Sequence, residues 1–287
     1  VAKMGLVLCD MIDWGWLDMI ITTGALMAHG FVEAVGMTHF KHDDRFNDAA
    51  LYRRGYNRIY DTLELEKNLD RAEEIIGGIL DSMDTSEPLS SEIFCRELGK
   101  WLAEQTDKPG VLRNAYLKGV PVYIPAFTDS ELALDIGTWM ARKAMASDPA
   151  LDIATAINQV NISFNPFMDL SSYTTRVLKA KRLGIFTIGG GVPRNWAQQV
   201  SPYLEILDER CQGSLPFRKF HYGVRICPEP AYWGGLSGCT YSEGVSWGKF
   251  VAPEDGGRFA EVFCDATVAW PFLVKAEKQR LDKQKKA

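Results

Sequence analysis

The chain has 287 residues and a formal net charge of −5, with 37 acidic residues against 32 lysines and arginines. Its hydrophobic fraction of 46% and charged fraction of 24% are typical of a globular protein with a buried core, and they exclude a disordered, collagen-like or coiled-coil chain. The excess of acids also argues against a general nucleic-acid-binding protein, whose surface would be basic.

Membrane-spanning and exported proteins are also disfavoured. No stretch reaches the roughly 18 consecutive apolar residues of a membrane helix, so we expect no membrane association. Asp10 and Asp13 interrupt the first apolar run, which is therefore not typical of a signal peptide. The 6 cysteines are scattered and form no Cys-x-x-Cys pair. Such cysteines are typical of reduced thiols, and the pattern predicts a cytoplasmic protein.

Short apolar runs that predict strands alternate with amphipathic patterns that predict helices. In chain order we predict a strand at 17–23, helices at 63–83 and 90–106, a strand at 120–127, helices at 131–147 and 170–183, a strand at 185–189, a helix at 193–207, strands at 224–227 and 262–264, and a helix at 266–286. Continuously apolar strands indicate a sheet covered on both faces. We therefore predict an α/β fold, with residues 1–287 forming one three-layer α/β/α Rossmann-like domain around a mainly parallel sheet.

Two patterns resemble catalytic or metal motifs but lack the necessary partners. Residues 244–248 match the Gly-x-Ser-x-Gly turn of α/β-hydrolases, yet all 4 histidines precede Ser246, so the order of the hydrolase triad is not met. His39 and His42 supply only two of the three or four ligands that a metal needs. We predict a polar surface loop there and no metal site.

Three glycines at 189–191 follow a predicted strand and open a helix. Glycines in this place let the backbone approach a phosphate at a helix start. Arg194 stands where the dinucleotide fingerprint has its third glycine, so the pattern leaves two interpretations, a phosphate site or a tight crossover. Thr22, Thr23 and Gly24 end another predicted strand in the same way.

Lys249 is the lysine of a stretch rich in glycine and aromatic residues, 232–250. Beside Trp247 and apolar neighbours, the lysine side chain could be desolvated. Desolvation lowers the pKa of an amine and frees the neutral form that imine chemistry requires. A single lysine in a loop is more often a surface residue, so spacing alone leaves both interpretations open.

Residues 243–249, Glu-Gly-Val-Ser-Trp-Gly-Lys, resemble the E-A-V-S-W-G-K signature of deoxyhypusine synthases. Further elements recur in the family's order over nearly the whole chain, at 22–24, 125–129, 189–191 and 265–266. Residues 233–238, 57–62 and 191–195 resemble the bacterial branch, the deoxyhypusine synthase-like proteins that include homospermidine synthases. The family also has an earlier strand and an NAD-binding Ser-Asn loop, so the resemblance implies a domain lacking the amino-terminal strand.

The resemblance implies an NAD-dependent aminobutyl transferase acting on polyamines through a lysine imine, as in homospermidine synthases. In the family, NAD oxidises a polyamine such as spermidine, diaminopropane leaves, and the aminobutyl group passes through the lysine to an acceptor amine. A homotetramer with active sites at a dimer interface is also implied. Two alternatives stay open: a deoxyhypusine synthase that modifies a protein lysine, and a non-catalytic NAD-binding paralogue subunit.

The resemblance also implies a role for individual residues, with Lys249 as the catalytic nucleophile. Implied substrate-binding residues are Glu243, Trp247, Gly190, Asn195, Glu131, Asp135, Trp233, Leu236 and His29. Implied NAD-binding residues are Thr23, Gly24, Asp129, Gly189, Gly191, Ser237, Asp265 and Ala266.

Several substrate positions depart from the pattern of the eukaryotic enzymes. Trp233, Leu236 and His29 stand where those enzymes have acids, and Asn195 stands where they have a histidine. Either Glu131 or Asp135 could replace their substrate aspartate. The departures favour a smaller polyamine, with putrescine as donor or acceptor and homospermidine as product.

Overall fold

The computed structural model describes residues 4–159 and 162–285. The chain divides into an amino-terminal unit that ends at Asn165 and a carboxy-terminal unit that begins at Pro166. Each unit contains its own parallel strands. The single domain over residues 1–287 stays a prediction.

The amino-terminal unit combines a parallel strand pair, a small antiparallel sheet and several helices. In chain order its elements are α1 (Gly5–Asp13), β1 (Ile20–Ile21), α2 (Gly24–Ala34), β2 (Phe40–Lys41), α3 (Asp48–Arg53), β3 (Tyr56–Ile59), β4 (Thr62–Leu65), α4 (Glu66–Ser82), α5 (Ser91–Gln105), α6 (Val111–Lys118), β5 (Val122–Tyr123), α7 (Glu131–Ser147) and α8 (Ile153–Ile157). Strands β1 and β5 pair in parallel, with Ile20 opposite Val122. The antiparallel sheet has the order β2-β4-β3.

Helices supply most of the core of this unit. Ile76 and Ile79 of α4 are buried in it together with Leu98 of α5 and Phe31 of α2. Helix α5 begins where the sequence predicts, because the Ser90 hydroxyl accepts a hydrogen bond from the Ile93 N–H at 3.4 Å. The core packs against the strand pair and so fixes the loops that follow β1 and β5.

The carboxy-terminal unit is built on a three-stranded parallel sheet of order β6-β7-β8. Its elements are α9 (Pro166–Lys179), β6 (Leu183–Ile188), α10 (Val192–Gln198), α11 (Val200–Arg210), β7 (Phe220–Ile226), α12 (Tyr241–Ser246), β8 (Arg258–Val262) and α13 (Ala266–Gln284). Ile188 lies opposite Ile226, which lies opposite Val262. Because the strands are parallel, the segments that follow them emerge at one edge of the sheet.

The predicted α/β class with parallel strands is confirmed, whereas several element boundaries were wrong. The strands predicted at 17–23 and 120–127 reduce to Ile20–Ile21 and Val122–Tyr123. Residues 62–65, read partly as helix, form β4 because they pair with both neighbouring strands. The helix predicted at 193–207 is two helices, since Pro202 has no N–H with which to continue the first.

Two further boundaries concern the helices of the carboxy-terminal unit. The helix predicted at 170–183 is Pro166–Lys179, and Leu183 belongs to β6. The predicted end of the last helix, at residue 286, lies outside the described residues. Among the residues that the structure describes, no helix combines the length and the apolar character needed to cross a membrane.

Candidate active site

Lys249 lies in the carboxy-terminal unit, in the segment that follows α12, and only 6% of its surface is exposed. Its backbone N–H donates to the carbonyl of Gly244, and its carbonyl accepts from the N–H of Phe220 at the start of β7. Gly248 makes the turn after α12 with a φ of +70°, a conformation that favours glycine. The segment is therefore held on both sides of the lysine, which is a buried residue and not a surface one.

The lysine side chain points at a neutral acceptor. Its Nζ donates to Oδ1 of Asn195 on α10, at 2.9 Å. Burial is the main reason that the pKa of Lys249 lies below its ordinary value; the charge of Arg194 lowers it further, while Cys239 and Glu243 oppose the shift. No carboxylate among the described residues forms an ion pair with this ammonium. A larger neutral fraction of the amine makes Lys249 a better nucleophile at neutral pH.

The other substrate candidates of this unit lie at the surface. Glu243 is exposed in the first turn of α12, where its N–H bonds to the Thr240 hydroxyl at 3.1 Å. Trp247, Trp233 and Leu236 are exposed as well, the last two in short 3₁₀ turns. Large apolar side chains at a surface are available to line a ligand channel or an interface.

The three glycines at 189–191 are required for two different structural reasons. A Cβ on Gly190 would lie 2.6 Å from the Cα of Ser237, so the segment carrying Ser237 packs directly on this backbone. Gly189 and Gly191 have φ values of +80° and +74°, and the space beside Gly189 is open. Gly190 therefore serves packing within the protein, while Gly189 presents accessible backbone at the edge of the sheet.

Asp265 and Ala266 lie after β8 at the same edge of the sheet. The Asp265 carboxylate caps α13, accepting from the N–H of Thr267 at 2.8 Å and from its hydroxyl at 2.6 Å. These hydrogen bonds hold the pKa of Asp265 below its ordinary value. The side chain is therefore an exposed, ionised acceptor.

Thr23, Gly24 and Asp129 occupy the corresponding place in the amino-terminal unit. Thr23 caps α2, accepting from the N–H of Leu26 at 3.3 Å. A Cβ on Gly24 would lie 2.2 Å from the Cβ of Ser130, so the loops after β1 and β5 touch at this point. Asp129 is exposed one residue before that contact.

Each set, taken by itself, offers groups that are suited to contact part of a dinucleotide. Exposed carboxylates such as Asp129 and Asp265 are suited to accept from ribose hydroxyls, as acids after strands do in dinucleotide-binding folds. The open left-handed backbone at Gly189 suits the approach of a phosphate.

Glu131 and Asp135 lie one helical turn apart on α7 and form an acidic group with Glu73 of α4. Burial, then the charges of Glu73 and Glu131, raise the pKa of Asp135 to about 7. Oε2 of Glu131 is buried and accepts no hydrogen bond from any described residue. Glu73 alone is paired, with Arg142 at 2.8 Å. The group has more negative charge than its paired cation balances, which suits a cationic ligand.

His29 does not join that acidic group. Its Nδ1 lies 2.6 Å from Oε2 of Glu64, a fully buried carboxylate of β4. His39 faces the other oxygen of Glu64, at 3.3 Å from Nε2. The prediction of a polar surface loop was therefore wrong for His39, which is buried because α2 and β4 enclose it. Sequence reasoning missed Glu64, since it was counted as part of a helix.

Sequence reasoning also missed two buried arginines of the carboxy-terminal unit. Arg225 of β7 is 1% exposed, donates to the carbonyl of Ser237 and pairs with Glu261 of β8 at 3.1 Å. Arg194 of α10 donates to the carbonyl of Cys239 at 2.8 Å, and burial lowers its pKa. Both side chains hold the 237–239 segment beside the glycines. In the sequence, the signal for Arg225 was its place within the strand predicted at 224–227.

The chain matches known proteins over most of its length. A family model described as deoxyhypusine synthase matches residues 1–277. "Probable deoxyhypusine synthase 2" of Methanosarcina acetivorans is 31% identical over 276 residues, which are 96% of this chain and 72% of the relative. "Deoxyhypusine synthase-like protein" of Chlorobaculum tepidum is 32% identical over 276 residues, 95% of this chain and 71% of the relative.

Among solved structures, a proposed deoxyhypusine synthase from Entamoeba histolytica aligns with 96% of this chain and 70% of its own, with a TM-score of 0.53. At 12% sequence identity this similarity concerns the fold alone.

Proposed function

This chain belongs to the deoxyhypusine synthase family, a transferase family that generally uses NAD, and we propose that it transfers aminobutyl groups between small polyamines through an imine on Lys249. The observation that carries the proposal is the state of this lysine. It is buried, its pKa is lowered, and its Nζ is directed at the amide oxygen of Asn195.

The chemical task explains why the lysine must be neutral. A carbon–nitrogen bond without an activating group breaks only after oxidation to an imine. When bound, NAD would accept the hydride of this oxidation, and the NADH so formed would return it in the final reduction. The neutral Nζ of Lys249 attacks the imine carbon, a new bond between Nζ and carbon forms, and the departing amine leaves with the proton. The acceptor amine then attacks the same carbon and releases Lys249.

Asn195 orients the nucleophile in this scheme. Its Oδ1 accepts one N–H of Lys249, which fixes the direction of the Nζ lone pair without adding a charge. A carboxylate in that place would favour the protonated, unreactive form of the amine.

We assign the remaining substrate roles by charge and exposure. Glu243 pairs with an amine terminus, and Trp247 and Trp233 line the polyamine path with Leu236 beside them. Glu131 and Asp135 bind a protonated amine, which would supply the positive charge that their buried group lacks. We leave His29 out of this set, because its Nδ1 already contacts Glu64.

In the amino-terminal unit, we propose that Thr23, Gly24 and Asp129 contact NAD. In the carboxy-terminal unit, we propose the same role for Gly189, Gly191, Ser237, Asp265 and Ala266. Support comes from the exposed carboxylates and the open backbone at Gly189. Gly190 is assigned to packing against Ser237. We further propose the family's homotetramer, for which the exposed Trp247, Phe263 and Phe272 offer apolar contact area.

The substrate is proposed to be putrescine, with homospermidine as product. Trp233, Leu236 and Asn195 are apolar or neutral. A long triamine would therefore find fewer charged side chains here than in the pattern of the eukaryotic enzymes. The alternative is modification of a protein lysine, which the names of the archaeal relatives favour.

Amine profiling tests the proposal. Purified protein is incubated with NAD and putrescine, with and without spermidine, and the amines are separated and identified by mass. We expect homospermidine from putrescine, and diaminopropane when spermidine is the donor. If neither appears while labelled spermidine transfers its aminobutyl group to a lysine of an acceptor protein, the alternative replaces the proposal.

Trapping tests the lysine itself. Reduction with cyanoborohydride during turnover of labelled spermidine should leave an aminobutyl mass on the peptide that contains Lys249. Lys249→Ala should abolish both transfer and trapping. Lys275→Ala, which removes an exposed lysine of α13, is the matched control and should retain both. Transfer that survives in Lys249→Ala would remove this residue from the mechanism.

A further inference from the structure

Three potential metal ligands converge in the amino-terminal unit, outside the residues assigned to the polyamine and to NAD. They are His29 of α2, His39 of the segment before β2, and Glu64 of β4. One ligand atom from each lies within 4.8 Å of the others. We propose that these three side chains bind one divalent transition-metal ion of the zinc class.

The carboxylate of Glu64 is placed to serve both imidazoles. Its Oε2 lies 2.6 Å from Nδ1 of His29, and its Oε1 lies 3.3 Å from Nε2 of His39. Ligand atoms around a tetrahedral zinc are about 3.3 Å apart, as bonds of roughly 2.0–2.1 Å require. The pair from His39 and Glu64 already has that spacing. The shorter distance to His29 is that of a hydrogen bond, so metal binding would require this ring to move away from Glu64.

A second observation concerns the atoms of His39 and Glu64 that face each other. Nε2 of His39 and Oε1 of Glu64 are both buried and lie 3.3 Å apart, and neither makes a hydrogen bond of good geometry with a described residue. On the other side of the ring, Nδ1 of His39 lies 3.1 Å from Oε1 of Glu33. When Nδ1 donates to Glu33, the Nε2 lone pair faces a carboxylate lone pair. Two buried acceptors repel each other unless a proton on Nε2 or a metal ion lies between them.

Glu33 contacts the ring nitrogen of His39 that faces away from the proposed metal. A metal-binding histidine usually donates its second ring N–H to a carboxylate, which fixes its tautomer and makes it a stronger ligand. The contact between His39 and Glu33 has this form. Within the part of the chain that the structure describes, neither Glu33 nor Glu64 forms an ion pair with lysine or arginine. Two imidazoles and one carboxylate match the ligand set of three-ligand zinc sites with an open fourth position.

Metal binding would join three elements that are distant in sequence. His29 and Glu64 are 35 positions apart, and they belong to the helix after Thr23 and to the antiparallel sheet. The ion would therefore fasten α2 to β4 and steady the start of α2, where Thr23 and Gly24 lie.

The test uses tag-free, full-length protein stripped with a chelator and titrated with zinc chloride by calorimetry, with metal content measured by elemental mass spectrometry. We expect one zinc per chain. His39→Gln and Glu64→Gln should lose binding by about 100-fold or more, and Glu33→Gln should weaken it about 10–100-fold. His42→Gln, which changes the neighbouring histidine of the same segment, is the matched control and should bind as the wild type does.

Absence of stoichiometric zinc binding to the stripped wild type would overturn the proposal, and so would binding that is unchanged in both His39→Gln and Glu64→Gln. If those variants fail to fold, zinc-edge X-ray absorption of the wild type decides. A first shell with two imidazoles supports the site, and a shell without imidazole overturns it.

Discussion

Replacing Asp135 by asparagine should stabilise the protein at alkaline pH and much less at acidic pH. Asp135 lies on α7 beside Glu131 and Glu73, and its pKa is raised from 3.8 to about 7 by burial and by these two charges. An acid whose pKa is higher in the folded state than in the unfolded state costs stability once it ionises. The cost is absent below the unfolded pKa, grows as the pH rises towards 7 and is complete above it.

The size of the effect follows from the shift. A change from 3.8 to about 7 corresponds to at most ~4 kcal/mol, at 1.36 kcal/mol for each pKa unit. Asp135 is only partly buried, so we take about 2 kcal/mol as the expected gain for Asp135→Asn at pH 8, allowing for solvent screening. At pH 5 only about a third of the cost has developed, so the gain should fall to ~0.7 kcal/mol.

Urea denaturation at pH 5 and pH 8, at constant ionic strength, measures both values. Glu104→Gln, which removes an exposed acid of α5, is the control and should change stability by less than about 0.5 kcal/mol at either pH. A gain for Asp135→Asn that is equal at the two pH values, or a loss at pH 8, would refute the reasoning. Putrescine should stabilise the wild type more than Asp135→Asn if this carboxylate binds an amine.

Three further predictions concern the lysine and the packing around the two sheets. The pH profile of kcat/KM should rise through a pKa of Lys249 that lies below 10.5, because burial lowers this pKa and only the neutral amine reacts; a midpoint at or above pH 10.5 would contradict it. Gly24→Ala should lower the free energy of unfolding, measured by urea denaturation, by about 2 kcal/mol or more, since its Cβ would lie 2.2 Å from the Cβ of Ser130. Gly30→Ala on the same helix meets open space and should raise that free energy by ~0.5–1 kcal/mol. Arg225→Met should lower the free energy of unfolding by about 3 kcal/mol, because it leaves Glu261 unpaired. Arg258→Met, at an exposed position of β8, is the control and should lower it by less than about 1 kcal/mol. Equal effects of the two substitutions would show that the buried pair contributes no more than a surface residue.

Local signals determined the features that lie within one element. Helix α7 runs over Glu131–Ser147, as its periodicity predicted, and α5 begins beside its Ser90 cap. The glycine and threonine turns after strands also occupy the ends of parallel strands, as α/β proteins require. The signature around Lys249 pointed to the family, because it is long enough to be specific.

Pairing between distant segments decided the identity of β4 and the burial and partners of Lys249 and His39. Residues 63–65 were predicted as the start of the helix at 63–83, yet hydrogen bonding to two other strands makes them part of β4. Lys249 is buried because the backbone of Phe220 and the side chain of Asn195, 54 positions away, close around it. The spacing in the sequence grouped His39 with His42 as two potential metal ligands, whereas in the fold His39 lies beside Glu64. Burial and partner choice depend on which distant segments pack together, and single-sequence periodicity carries no information about that packing.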